Sequence, residues 1–300
     1  MFKNILVPLD GSNLAEAALP PAASLAQTLN APVTLLHVLE ENPPQEVHHD
    51  RHLTESDEAV AYLKDVAARA FPKSVQVKSH VHTAEVKDVA ASIVQHANEE
   101  FKPDLIVMCA HGQSGFRDLI FGGIAQQVLA GGRTPLLLLQ PKVAEFHPFA
   151  IRHILVPLDS GSKHDTSLPY AELLAKAYGA EIDLLTVVPT YATLTGHRAA
   201  ASSMLPATST ALLEIKEQAA KEHLQSHLDE LLRAGYTARA QIAGGDPAAL
   251  IVQTAKKVEA DLIVFSTHRR AGIDAFWARS VTPNVVRKTQ IPLLLLPLSE

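Results

Sequence analysis

The chain repeats itself at a spacing of about 150 residues, and that repeat limits the fold more than any other feature. Lys3-Asn-Ile-Leu-Val-Pro-Leu-Asp-Gly-Ser12 returns as Arg152-His-Ile-Leu-Val-Pro-Leu-Asp-Ser-Gly-Ser162, at an offset of 149. The same offset relates Leu19-Pro20 to Leu168-Pro169, and Val33-Thr-Leu-Leu-His-Val38 to Ile182-Asp-Leu-Leu-Thr-Val187. Further on, Asp104-Leu-Ile-Val matches Asp261-Leu-Ile-Val, and Pro135-Leu-Leu-Leu-Leu matches Pro292-Leu-Leu-Leu-Leu. The offset there is 157, so the second copy carries about eight extra residues in its middle. A repeat of this length is a duplicated domain rather than a solenoid unit, and 300 residues are ample for two. The expected bounds are 1–141 for the first domain, 142–150 for a short polar linker, and 151–300 for the second domain.

Within each copy, short apolar runs alternate with helical patterns. The first copy predicts strands over 5–9, 33–38, 75–81, 105–108 and 135–139, with helices over 16–29, 55–70, 86–98 and 116–130. Pro20 and Pro21 fall inside the first helical stretch, which must start late or kink there. Residues 40–54 read as a polar loop. The second copy repeats the strands at 154–158, 182–187, 237–242, 262–265 and 292–296, with a long loop over 189–208 that is either a lid or merely a loop. Strands apolar on both faces, alternating with helices, specify a parallel sheet covered on both sides. The fold class is therefore α/β: two repeated doubly wound domains, each with a five-stranded parallel sheet flanked by helices. Each copy closes on an almost wholly leucine strand. As a bare edge such a strand invites aggregation, so the two last strands are expected to pair, making an intramolecular pseudo-dimer.

Residues 104–125 combine a short apolar strand, a turn through Cys109 to Gly115 and a helix start. Unpaired N–H groups and the helix dipole at such a turn favour an anion, and Gly112 has no Cβ to hold a phosphate away from the main chain. Taken alone, the stretch is equally well read as a plain strand-to-helix connection.

Composition narrows the partners. No apolar run approaches membrane-spanning length and no signal-peptide pattern opens the chain, which predicts a soluble, cytoplasmic protein with no membrane partner. Cys109 is the single cysteine, so an internal disulfide is impossible. The net charge is −6, without a basic block, which argues against nucleic acid.

With these motifs in view, the sequence resembles the universal stress protein family in its tandem form, over nearly the whole chain. The resemblance rests on Ile-Leu-Val-Pro-Leu-Asp opening both copies, Leu-Leu-His-Val in the second strand, Asp-Leu-Ile-Val before the glycine turn, and the closing Thr-Pro-Leu-Leu-Leu-Leu. It implies a doubly wound fold, pairing through the last strand and, in one branch, ATP as ligand, with or without Mg²⁺. That branch carries Gly-x2-Gly-x9-Gly-Ser/Thr; the first copy reads Cys109-x2-Gly112-x9-Gly122-Gly123. Cys109 is expected to add a sulfur in the path of the ribose and phosphates. Gly123 keeps a backbone donor but forgoes one hydroxyl hydrogen bond, worth about 0.5–1.5 kcal/mol. By the same resemblance Pro8, Leu9, Asp10, Val38, His111, Gln113 and Ile124 complete a nucleotide site in the first copy. Asp10 is alternatively a turn carboxylate that caps the next helix. A possible second site would comprise Asp159, Val187, Ser266, Arg269, Arg279 and Ser280, where two arginines either fill the phosphate cradle or grip an anion at a new place.

Other chemistry is poorly supported. His48, His49, His52, His80 and His82 suggest a metal, but without a repeated ligand spacing they read as solvated histidines, and no metal site is expected. No nucleophile elbow, Walker loop or paired acidic motif is present, so a dedicated enzyme is not expected and any ATP hydrolysis would be slow. Two readings stay open: a cytoplasmic stress-response protein that binds adenine nucleotide in its first domain and acts on a protein partner, or an interaction module with no nucleotide. Further homodimerisation of the whole chain is compatible with both.

Overall fold

The computed structural model describes residues 2–41, 43, 46–47, 50–51, 53–110, 123–140, 149–159, 162–194, 204–268 and 281–298. These fall into two compact units. Unit 1 comprises Met1–Ala150 together with Thr267–Glu300, and unit 2 comprises Ile151–Ser266.

Unit 1 is built on strands β1 (Ile5–Pro8), β2 (Val33–Glu40), β5 (Val77–Val86), β6 (Leu105–Cys109) and β7 (Leu136–Leu139), all parallel, in the order β5-β2-β1-β6-β7. A small antiparallel hairpin, β3 (Glu46–Val47) and β4 (Asp50–Arg51), lies in the segment expected to be a loop. The helices are α1 (Leu19–Leu29), α2 (Ser56–Ala70), α3 (Val89–Gln95) and α4 (Gly123–Gly131). Ile5, Leu6, Val7, Leu35, Leu36, Ile106 and Val107 are almost wholly buried, as expected of a sheet covered on both faces. In unit 2 the strands β8 (His153–Leu158), β9 (Glu181–Val188), β10 (Ala238–Gly244) and β11 (Leu262–His268) run in the order β10-β9-β8-β11. Its helices are α5 (Leu168–Tyr178), α6 (Pro206–Arg233) and α7 (Pro247–Lys257). Helix α6 runs for 28 residues from the end of the segment read as a long loop.

The prolines act as the sequence suggests. Helix α1 starts only at Leu19, with Pro20 and Pro21 in its first turn, where a missing N–H goes unnoticed. The preceding Ala15–Ala18 forms a 3₁₀ turn instead. Pro169 opens α5 in the same way. Each repeat also ties the start of its first strand to the start of its fourth. The Asp104 carboxylate accepts from the backbone N–H of Lys3 at 2.7 Å and of Asn4 at 3.0 Å. Asp261 accepts from Arg152 at 2.8 Å and from His153 at 3.0 Å.

The leucine strands pair as expected. After α8 (Val281–Lys288), strand β12 (Leu293–Leu298) lies antiparallel to β7, with Leu293 opposite Leu138, Leu294 opposite Leu137 and Leu295 opposite Leu136. The last strand of the second repeat therefore completes unit 1. A fragment of residues 1–147 keeps β7 and lacks its partner, so it should self-associate in analytical ultracentrifugation. A strictly monomeric fragment at high concentration would contradict the pairing argument.

One residue of unit 2 carries a stability cost. Asp183 on β9 occupies the repeat position of Thr34 and is buried, with Oδ2 unpartnered among the described residues and Oδ1 3.8 Å from Arg239 Nε. Burial pushes its carboxyl above the ordinary 3.8, only partly opposed by Arg239 and His153. A carboxyl whose folded pKa is raised adds stability below its unfolded pKa and loses that contribution as pH rises through the folded value. Denaturation curves should therefore show Asp183→Asn gaining on the native chain from about pH 4 upward; a gap that does not change with pH would refute this.

Candidate functional site

In unit 1 the chain runs from β1 outward to β2 and β5, then returns to lay β6 and β7 on the other side of β1. The direction of winding reverses between β1 and β6, and the crevice beyond the carboxyl ends at such a reversal is where open parallel sheets take ligands. Pro8 closes β1, with Leu9 and Asp10 directly after it. Val38 lies near the end of β2, Cys109 closes β6, and Gly123 and Ile124 open α4. Asp10, Val38 and Cys109 thus come to one end of three neighbouring strands. His111, Gly112, Gln113 and Gly122 lie outside the described residues, as do His48, His49 and His52.

The turn after β1 is tightly specified. Ser12 donates to Asp10 Oδ1 through its backbone N–H at 2.9 Å and its hydroxyl at 2.7 Å. Ser12 Oγ in turn accepts from the Ala15 N–H at 3.1 Å, so the Asp10 carboxylate organises the start of the 3₁₀ turn. Gly11 has φ +91°, and a Cβ there would sit 2.6 Å from Leu53 Cγ, so both backbone and packing exclude a side chain. Asp50 of the hairpin accepts from Asn13 N–H at 2.8 Å and from Asn13 Nδ2 at 3.0 Å. The segment after β2 therefore closes over residues 11–13. Below it, buried His37 places Nδ1 2.8 Å from the Leu9 carbonyl oxygen. A carbonyl only accepts, so Nδ1 carries the proton and Nε2 presents its lone pair; Nε2 is buried without a hydrogen-bond partner among the described residues. The sequence displays His37 only as part of an apolar strand, and its bracing of Leu9 depends on the β1–β2 register.

Cys109 does not project from its strand. It is buried, with Sγ 3.8 Å from the Ala15 carbonyl oxygen to which the thiol donates. Burial pushes its pKa up, the nearby Asp10 carboxylate adds to that, and a backbone hydrogen bond from Ala18 opposes it. The sulfur expected in a ligand's path is instead packed inside. At the start of α4, a Cβ on Gly123 would meet only Gln127 Nε2, at 3.8 Å, and Ile124 is exposed. Among the described residues nothing else approaches this first turn.

The second repeat has the same frame with different chemistry. Asp159 follows β8, Val187 lies near the end of β9, and the Ser266 hydroxyl meets Thr166 Oγ1 at 2.7 Å. Arg269, Arg279 and Ser280 lie outside the described residues. The repeat position of Glu16 is Asp165. Buried Glu16 is matched by Arg69 Nη2 at 2.5 Å, and burial followed by this carboxylate pushes the Tyr62 phenol up. Asp165 instead faces His223 Nε2 at 3.2 Å and His227 Nε2 at 3.0 Å. These two histidines stand one turn apart on α6, an i, i+4 spacing that the sequence itself displays.

A sequence profile of the Universal stress protein family matches residues 1–140 and again 150–297. Universal stress protein Sll1654 of Synechocystis sp. is 35% identical over 130 residues, spanning 43% of this chain and 78% of that protein. Universal stress protein MJ0531 of Methanocaldococcus jannaschii is 26% identical over 148 residues, spanning 47% and 83%. The solved universal stress protein from Archaeoglobus fulgidus DSM 4304 superposes with a TM-score of 0.72 at 18% identity, covering 100% of both chains, and so shares the fold.

The buried thiol leads to a direct test. Native protein should leave Cys109 unlabelled by an aromatic disulfide reagent, and denaturant should release one thiol per chain. Rapid labelling of the folded protein would contradict the inward sulfur.

Proposed function

The chain belongs to the universal stress protein family, and from that premise we propose that it is a cytoplasmic stress-response module whose first repeat binds adenine nucleotide. The placement of Asp10, Val38 and Cys109 at the carboxyl ends of three adjacent strands, beside the β1/β6 reversal, carries this reading. The residues fit a nucleotide. The inward sulfur of Cys109 keeps clear of the strand end, and the first turn of α4 would offer backbone donors to a phosphate. Asp10 and Val38 would meet the nucleoside, and Gly112, Gly122 and Gly123 the phosphates. Mg²⁺ would accompany the phosphates if it is needed at all. On this reading binding itself, rather than hydrolysis, is the functional event. It would act by favouring one state in an equilibrium with a protein partner. Among the described residues no helix is long and apolar enough to cross a membrane.

Protein purified without added ligand should release about one adenine nucleotide per chain on heating if the arginines that stand at the motif's glycine positions 269 and 279 block a second site. Gly112→Arg should abolish ATP binding in titrations with and without Mg²⁺ while leaving thermal unfolding nearly unchanged. Absence of co-purified nucleotide together with no binding at millimolar ATP would overturn the proposal in favour of an interaction module.

A further inference from the structure

Three imidazoles from two elements converge on one face of unit 1. His80 and His82 alternate along β5, so both side chains stand on the same side of the sheet. His96 follows α3 as the first residue of a π-helical turn, His96–Phe101; such turns recur at functional sites. His96 Nε2 lies 3.0 Å from His82 Nδ1, and the rings of His80 and His82 sit 5.0 and 4.9 Å from that of His96, edge to face. One nitrogen from each of the three lies within 4.8 Å of the others.

We propose that His80, His82 and His96 bind one zinc-type divalent cation, with water in the remaining position and Glu100 orienting His96.

The geometry of the cluster suits a cation. Glu100 Oε2 is 2.7 Å from His96 Nδ1. A carboxylate accepts, so Nδ1 carries the proton and the Nε2 lone pair faces His82. This is the carboxylate–histidine arrangement that fixes tautomer and ring orientation in metal sites. His80 Nδ1 lies 3.8 Å from Glu100 Oε1, too far for a hydrogen bond. With its proton on Nε2 rather than Nδ1, His82 would turn its Nδ1 lone pair toward that of His96 at 3.0 Å, a facing pair that a cation can bridge. Metal–nitrogen bonds of about 2.0–2.1 Å at a tetrahedral angle place ligand nitrogens about 3.3 Å apart, close to the 3.0 Å already present between His82 and His96. Phe101 stacks on His96 and stands edge-on to His80, giving the cluster an apolar wall. Imidazole ligands suit zinc rather than calcium or magnesium. Bound there, the ion would fasten strand β5 to the segment after α3.

The other cluster of this kind, Asp165 with His223 and His227, is closed by its own contacts. Each ring Nε2 there can donate to a separate carboxylate oxygen, at 3.2 and 3.0 Å, so the atoms that face one another are already paired by hydrogen bonds.

The full chain, stripped with a chelator, should be titrated with Zn²⁺ against a chromophoric competitor and with Co²⁺ as a spectroscopic substitute. One equivalent of Co²⁺ with the intense visible absorption of tetrahedral coordination is expected, and Zn²⁺ should raise the unfolding temperature. His82→Ala and His96→Ala should lose both effects while keeping the native circular dichroism spectrum. Glu100→Gln should bind about 10–100-fold more weakly. Absence of stoichiometric binding by the native chain overturns the proposal. So does binding that survives in His82→Ala and His96→Ala but is lost in Asp165→Ala, which would move the site to the second repeat.

Discussion

Two carboxylates, one in each repeat, hold the working ends in alignment. Asp104 and Asp261 each capture a pair of backbone N–H groups at the start of the neighbouring first strand. Those hydrogen bonds to a charged acceptor are worth more than neutral ones, and they sit at the amino ends of the strands. Their effect is felt at the other end. By fixing the stagger of β1 against β6, Asp104 determines where Asp10 and Cys109 emerge relative to one another. The crevice at the winding reversal therefore depends on a contact made several residues away, on the opposite rim of the sheet.

Duplication allowed the two repeats to keep this frame while their interiors diverged. Glu16 and Asp165 occupy one position, yet the first is neutralised by Arg69 and the second lies between two imidazoles. Thr34 and Asp183 likewise share a position, and only the second carries an ionisable group into the core. At the strand ends, Cys109 of the first repeat is matched by Ser266, which turns to Thr166 rather than to a backbone carbonyl. The frame is shared and the electrostatics are not, so the two repeats are not interchangeable copies of one site.

The fold was largely legible because its signals are local. Alternating apolar runs, the prolines at 20 and 21, and the leucine strands each act within a few residues, and strands, helix start and edge pairing followed from them. What stayed hidden depends on register or on distant segments. The Cys109 sulfur turns inward because the 3₁₀ turn at Ala15–Ala18 supplies a carbonyl beneath β6, and that turn is invisible in composition. His37 acquires its role only once β2 lies beside β1 in the observed register. His80 and His82 read as a solvated pair because the third ring, His96, arrives from another element. The hairpin over 46–51 closes on Gly11 through Leu53 and on Asn13 through Asp50, a contact that no pattern in a polar loop announces.

The antiparallel pairing of β7 with β12 also bears on how the protein is made. Strand β7 ends at Leu139 and its partner at Leu298, roughly 160 residues later. At synthesis rates of about 5–20 residues per second, an almost pure leucine edge waits roughly 10–30 seconds on the ribosome before its covering strand exists. During that interval the nascent first repeat presents the surface most prone to pairing with a neighbouring nascent chain on the same message. Slower translation through the second half lengthens that exposure, whatever the stability of the finished protein.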